Sequence, residues 1–362
     1  MNTYTVIDLE AIKHNIGAIK KLLAPNVLFM AVVKANAYGH GSVAVARAAV
    51  EAGANYLAVA NLKEALELRE AGIISPILIL TESPTSVLDE IIQYDLTQTI
   101  YSVTEAQTLS EEAKKRGKTA KVHVKVDTGM GRVGVMPSEA VAFITKISSL
   151  PNIELEGLFT HFAKAEDEND GYTKEQFELF KQVLVKADQI RLKHSANSAA
   201  VLFHPETHLD MVRVGLMMYG LYPGNGRNKI ELQPALSFRS RVTYLKTVPA
   251  GKAVSYGATY VTPKETTIVT IPVGYADGFS RRLSNRGQVI IQGKRYPVVG
   301  RVTMDLTMVD VGMDKINVGD EVVLIGEQKG QLISADEIAK LEDSISYEVI
   351  CGIGKRVPRI YR

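Results

Sequence analysis

Residues 27–41 read VLFMAVVKANAYGHG, an apolar run that ends in a lysine and gives way to a loop of small and polar residues. An unbroken apolar run bounded by turn-forming residues fits a strand buried on both faces, as in parallel sheets. Lys34 then stands at the carboxyl end of that strand, beside Asn36, Tyr38 and the glycines at 39 and 41. A lone lysine in such a place commonly just leaves the sheet for solvent. A desolvated amine, however, is a nucleophile able to condense with a carbonyl. The loop after it can let a phosphate approach backbone and phenol.

Working outward, the same texture repeats. Strand-like runs recur at 56–60, 76–80, 96–102, 121–127 and 153–160, with weaker ones at 195–200 and 211–216. Helical periodicity separates most of them, as in NLKEALELREAG (61–72), which Gly72 stops, and KEQFELFKQVLVKADQI (174–190). Strands alternating with helices predict parallel βαβ units, and eight of them predict an α/β fold of the (β/α)8 TIM-like barrel type. The alternative is an open doubly wound sheet. Beyond GLYPGNGRNKI (220–230) the chain becomes rich in Val, Ile, Thr and Tyr with closely spaced turns, as in ALSFRSRVTYLKTV, TTIVTIPVGYADG and GQVIIQGKRYPVVG. The expected division is a barrel over residues 1–232 and a mostly-β domain over 233–362, with the Pro/Gly/Asn cluster at 223–228 as the boundary.

Composition narrows the function. A chain of 362 residues with a net charge of +2 has no polybasic stretch, which disfavours nucleic acid as a partner. The single cysteine, Cys351, excludes an intrachain disulfide framework and fits a reducing compartment. The opening MNTYTVIDLEAIKHN turns acidic and polar at once, and no apolar run is long enough to span a bilayer. A cytoplasmic protein without membrane association is expected, and no metal.

Four further segments offer polar side chains where strands should end. In KVHVKVDTGMGR (121–132), alternation puts Lys121, His123, Lys125 and Asp127 on one face and three valines on the other. The valines can pack beneath helices, so the charged face should point into the barrel, where charges need partners or a function. The same segment runs into Gly129, Gly131 and Gly134, which satisfy GxGxxG, with Glu154 downstream. A charged strand, fifth in order, argues against a dinucleotide site there. GLFTHFA presents His161, HSANSAA presents Asn197 and Ser198, and MVRVGLMMYG presents Arg213 before Gly215 and Leu216. Taken singly, the histidine reads as a satisfied core group and the serine as a helix cap. Their joint placement at successive strand ends points to a site.

VVKANAYGHG resembles the cofactor-lysine motif of the alanine racemases, and the resemblance extends from residue 32 to 354. It implies that Lys34 carries pyridoxal 5'-phosphate and that Tyr38 binds its phosphate. Ser198, Gly215, Leu216 and Tyr347 would share that phosphate, Arg213 would face the pyridine nitrogen, and His161 would support Arg213. Lys125 becomes a candidate for carbamylation and Arg132 a contact of the substrate carboxylate. AVSYGATY (253–260) matches the segment of the family's second catalytic base, Tyr256. A phenol needs cationic or hydrogen-bonding neighbours to act as a base near neutrality. The default reading of one tyrosine among fifteen is an aromatic strand residue. Tyr275, Met304 and Asp305 match substrate-side and entry positions, and Thr303 stands where many family members have cysteine. The family's tyrosine reaches the lysine of the other subunit, implying a head-to-tail homodimer with shared active sites.

The function implied is interconversion of L- and D-alanine by Lys34 and Tyr256, supplying D-alanine for peptidoglycan. A decarboxylase of related architecture would share Lys34 but not Arg213 or SYGATY. A cofactor carrier would need neither AVSYGATY nor GRVTMD.

Overall fold

The computed structural model describes residues 2–362. The chain divides into two units. One comprises Glu10–Ala37 and Ser42–Gln233; the other takes the N-terminal segment to Leu9, Tyr38–Gly41 and Pro234–Arg362.

The first strand of the chain, β1 (Tyr4–Ile7), is not part of the barrel. The next eight are: β2 (Leu28–Val32), β3 (Tyr56–Val59), β4 (Ile77–Ile79), β5 (Thr97–Ile100), β6 (Ala120–Lys125), β7 (Ile153–Phe159), β8 (Leu192–His194) and β9 (Met211–Val214). They pair in parallel in chain order, and β9 returns to pair with β2. Between β8 and β9 the ring closes through single bonds, Asp210 N to Lys193 O (3.0 Å) and Arg213 N to Ala196 O (2.9 Å). The parallel barrel expected from the alternation is therefore present. Val122, Val124 and Val126 are fully buried, and the latter two pack with Ala140, Ile144, Phe180 and Val183 of the covering helices. His123 and Lys125, on the opposite face, are buried as well.

The seventh strand lies three residues earlier than expected. SANSAA is not a strand: Asn197 caps the helix Ser198–Phe203 by accepting the amide of Ala200 at 3.0 Å. A side chain that competes for backbone donors makes a turn of this run.

The second unit is mostly β. Its main sheet runs Lys294–Pro297, Gln288–Ile291, Glu321–Gln328, β10 (Leu236–Arg241), β1 and Arg359–Tyr361. β1 is antiparallel to β10 and parallel to the C-terminal strand. Residues 1–9 were expected with the barrel; β1 instead fills a gap between two C-terminal strands, because Ile7 and Val6 complete their ladders. A three-stranded sheet (Tyr244–Val248, Thr266–Ile271, Thr307–Asp310) and a short hairpin (Ala253–Val254, Tyr260–Val261) complete the unit. Among the described residues no helix is long and apolar enough to cross a membrane.

Candidate active site

Lys34 lies one residue past the end of β2, and the backbone there is unusual. Ala35, Asn36, Ala37 and Tyr38 all have φ between 51° and 53°, one left-handed turn of ordinary L-residues. Each such residue costs about 1–2 kcal/mol. Several bonds hold it. Ala37 N donates to Val33 O (2.9 Å), Ala35 N to Glu64 Oε1 (2.8 Å), and Ser42 N to Asn36 Oδ1 (2.9 Å). Tyr219 OH donates to the carbonyl of Val32 at 2.9 Å, fixing the strand end just before the lysine. Strain sustained by surrounding bonds marks a position the fold holds for a reason.

Four other strand ends contribute, those of β6, β7, β8 and β9. Arg213, on β9, is 4 % exposed. Its Nη1 meets His194 Nδ1 at 3.0 Å; its Nη2 lies 2.7 Å from Thr160 O, 3.0 Å from Ser195 O and 3.2 Å from His161 Nδ1. Burial, with Arg132 as a second cation, lowers its pKa to about 9, which still leaves a cation at neutral pH. The same desolvation, then the Arg213 charge, holds His161 neutral, well below its ordinary value. Beside Arg213, Ser198 Oγ accepts the amide of Gly215 at 3.1 Å, and both Ser198 and Leu216 are buried.

Lys125 ends β6 with Nζ 2.5 Å from Val133 O. Burial is the first cause that lowers its amine to about 8, and Arg132 and Arg213 add repulsion. Asp127 does not pair with it directly. Its carboxylate instead takes the amides of Gly129 (3.0 Å), Gly131 (3.1 Å) and Arg132 (3.1 Å). The amides of the GxGxxG loop are thus committed to a side chain of the protein, and a carboxylate sits where a pyrophosphate would be needed. The Arg132 side chain is exposed.

In the other unit, Tyr38 packs against Tyr347, ring centroids 6.0 Å apart, and burial raises the Tyr38 phenol. The glycines of YGHG have a role the sequence did not suggest. A Cβ on Gly39 would collide with the Ile350 carbonyl, and one on Gly41 with the Tyr361 ring. Close packing against the C-terminal segment requires glycine at both positions.

Tyr256 sits at the tip of the hairpin Ala253–Val254/Tyr260–Val261 and is 72 % exposed. Ser255 (φ 63°), Gly257 (72°) and Ala258 (48°) flank it, all left-handed. Ser255 Oγ anchors the tip to Arg301 O at 2.6 Å. Tyr275, Met304 and Asp305 come together on a second edge of the same unit. Tyr275 N bonds to Thr303 O (3.0 Å) and Ala276 N to Met304 O (3.1 Å), while Gly274 leaves no room for a Cβ against that loop. Arg356 ties Asp305 (2.6 Å) to Asp277 (2.7 Å).

The sequence reading passed over Glu64, Tyr219 and His194. His194 was legible only as the residue before SANSAA, and its contact with Arg213 spans two strands.

A (β/α)8 barrel whose first strand ends in a strained turn bearing a lysine, with a buried arginine and serine at the last two strand ends, defines an enzyme of the lysine-centred barrel class. The family models described as "Alanine racemase, N-terminal domain" and "Alanine racemase, C-terminal domain" match residues 7–223 and 235–361. The chain is 50 % identical over 366 aligned residues to an alanine racemase of Halothermothrix orenii, covering 99 % of this chain and 97 % of that one. Two solved structures are close to it. The alanine racemase of Clostridium difficile 630 has a TM-score of 0.96 at 41 % identity, covering 100 % of this chain and 96 % of that one. That of Bacillus anthracis with bound L-Ala-P has 0.94 at 40 %, covering 100 % and 95 %. The chain belongs to the alanine racemase family, whose members are isomerases.

Proposed function

We propose that this protein interconverts L- and D-alanine, with pyridoxal 5'-phosphate held on Lys34 and with Lys34 and Tyr256 as the two acid–base groups. The observation that carries the reading is the left-handed turn that fixes Lys34 at the end of β2, in a chain matched over its full length by alanine racemases.

The donor set suits a phosphorylated pyridine ring. Ser198 Oγ already accepts the Gly215 amide, so its O–H is left to donate, and Leu216, Arg213 and Lys34 add no carboxylate. Ser198, Gly215, Leu216, Tyr38 and Tyr347 would hold the phosphate, and Arg213 the ring nitrogen. When bound, the cofactor withdraws electrons from the substrate α-carbon and makes its proton removable. Arg213 donates only and holds its protons tightly, so a ring nitrogen it faced would be left unprotonated. His161, neutral and accepting from Arg213, keeps the guanidinium oriented. Arg132 and the Met304 backbone would take the substrate carboxylate, with Asp305 and Tyr275 beside the entrance.

Lys34 takes or returns the α-proton on one face, and Tyr256 of the partner subunit serves the other. A tyrosine displayed at a hairpin tip, outside its own unit's core, supports a head-to-tail homodimer with shared sites. We assign the domains as a cofactor-binding barrel within 10–232 and a β domain over 233–362 that supplies Tyr256 and takes in β1 from residues 1–9. The setting proposed is cytoplasmic, with D-alanine going to peptidoglycan.

Incubation of the pyridoxal-phosphate-loaded protein with L-alanine in heavy water tests this. Appearance of D-alanine with deuterium at Cα is the expected result. Deuteration without D-alanine would leave a one-base enzyme and overturn the racemase reading.

A further inference from the structure

Behind Arg213 the barrel interior is not apolar. A line of bonded polar groups runs from the guanidinium back through the barrel. Arg213 Nη1 meets His194 Nδ1 (3.0 Å), His194 Nε2 meets His123 Nδ1 (2.9 Å), and His123 Nε2 meets Glu156 Oε2 (3.1 Å). Tyr56 OH donates to Glu156 Oε2 (2.7 Å) and lies 2.6 Å from Thr97 Oγ1, while Arg191 binds Oε1. His123, His194, Thr97 and Glu156 are each at most 4 % exposed.

Two local features show that the fold makes room for this line. The β6–β7 ladder slips between Val122 and His123, opposite Gly157, where an added Cβ would lie 2.5 Å from the His123 ring. Phe159 stacks on His194, with centroids 4.8 Å apart and planes 5° from parallel.

Every proton on the line has one possible place. A guanidinium only donates, so His194 Nδ1 must accept and its hydrogen must sit on Nε2. That hydrogen points at His123 Nδ1, which must therefore accept, and the His123 hydrogen sits on Nε2 and points at Glu156. Both histidines are then neutral, and Glu156 receives donors only, from His123, Tyr56 and Arg191. The groups touching Arg213 are two imidazoles, two carbonyls and the face of Phe159 (5.2 Å), with no carboxylate among them. A buried cation needs a counter-charge. Along the bonded line the first one is Glu156.

We propose that Glu156 is a positioning residue for this site: through His123 and His194 it supplies the counter-charge that orients Arg213 and sets its strength as a donor to the cofactor ring. The line is a fixed chain of dipoles, all pointing one way, and moves no proton. The inference rests on the reading that Arg213 faces the ring. Its tests can be read whether or not alanine turns over.

Nitrogen-15 spectra of histidine-labelled wild-type protein, with and without pyridoxal phosphate, should show His123 and His194 as neutral Nε2–H tautomers. An Nδ1–H tautomer, or a doubly protonated ring, at either position would overturn the proposal. Glu156→Gln keeps an acceptor for His123 and removes the charge. It should shift the His194 nitrogen signals and weaken pyridoxal phosphate binding by about 10-fold, the scale of losing an outer partner of a ligating group. It should also change the ratio of transamination to racemisation while leaving KM for alanine in place. A folded E156Q protein with wild-type cofactor affinity and unmoved His194 signals would overturn it. Should that variant fail to fold, the wild-type tautomers decide the matter alone.

Discussion

Burial lowers the Lys125 amine to about 8, so roughly a tenth of it is uncharged at pH 7, and only an uncharged amine can add carbon dioxide. Carbamylation would replace a cation that Arg132 and Arg213 repel with an anion that they attract. Carbon-13 bicarbonate should therefore give a carbamate signal in the wild-type protein that Lys125→Arg lacks. Equal signals in both proteins would place the modification elsewhere. For Tyr256→Phe the expected loss is kinetic, about 10²–10⁴-fold in racemisation, the usual contribution of a positioned acid–base group. Solvent exchange at one face of alanine should survive, and so should Tm, because the side chain is exposed. Lys34 stood out in the sequence as the first polar residue after an apolar run, and Arg213 as the one charge within another; Ser198 stood out through the family resemblance of its segment. His123 stood out only as a polar residue on an inward face. Its bonds to His194 and Glu156 join three strands, and no local pattern encodes that meeting.

Among the elements, the turn Lys34–Tyr38 is the one the sequence concealed. Two alanines and an asparagine suggested a loop, whereas bonds to Glu64 and from Ser42 hold four residues in the left-handed region. Asn36→Ala removes one of those bonds and should cost about 1 kcal/mol in thermal unfolding, with weaker cofactor binding. The alternating strands were readable because β2 to β7 lie between helices and are buried on both sides. The seventh failed because Asn197 makes a cap of what looked like a strand. The helix Val103–Lys115 carries a second buried acid. Burial first, then Glu82, raises the Glu105 carboxyl to about 9. A carboxyl raised in the fold stays protonated while the unfolded chain has ionised. Its stabilising contribution is therefore full below about pH 4.5 and is lost as pH rises toward 9. Glu105→Gln should raise Tm more at pH 8 than at pH 5, and an equal rise at both would contradict the assignment.

For the whole molecule, the proposed sharing of sites makes a prediction that no single-chain enzyme satisfies. Lys34→Ala and Tyr256→Phe are each expected to be inactive as racemases. When the two are unfolded, mixed and refolded together, half the dimers should be mixed and each should hold one intact site, restoring about a quarter of wild-type activity. No recovery, from chains shown to have exchanged, would mean that each site draws on one chain. The two-part division was visible in composition, from helix-separated apolar runs to Thr- and Tyr-rich strands. The destination of residues 4–7 was not, since a four-residue strand carries no sign of which sheet it will join.

That strand also sets a clock on synthesis. β1 leaves the ribosome early, yet its partner β10 begins about 230 residues later, a wait of roughly ten to fifty seconds at ordinary elongation rates. Its other neighbour, Arg359–Tyr361, emerges later still, about 350 residues after β1. The nascent barrel can therefore close while β1 is still unattached, and the β unit cannot be finished until Arg359–Tyr361 has been made. A fragment beginning at Pro234 would lack a central strand of its own sheet and would leave two open edges seeking any extended chain.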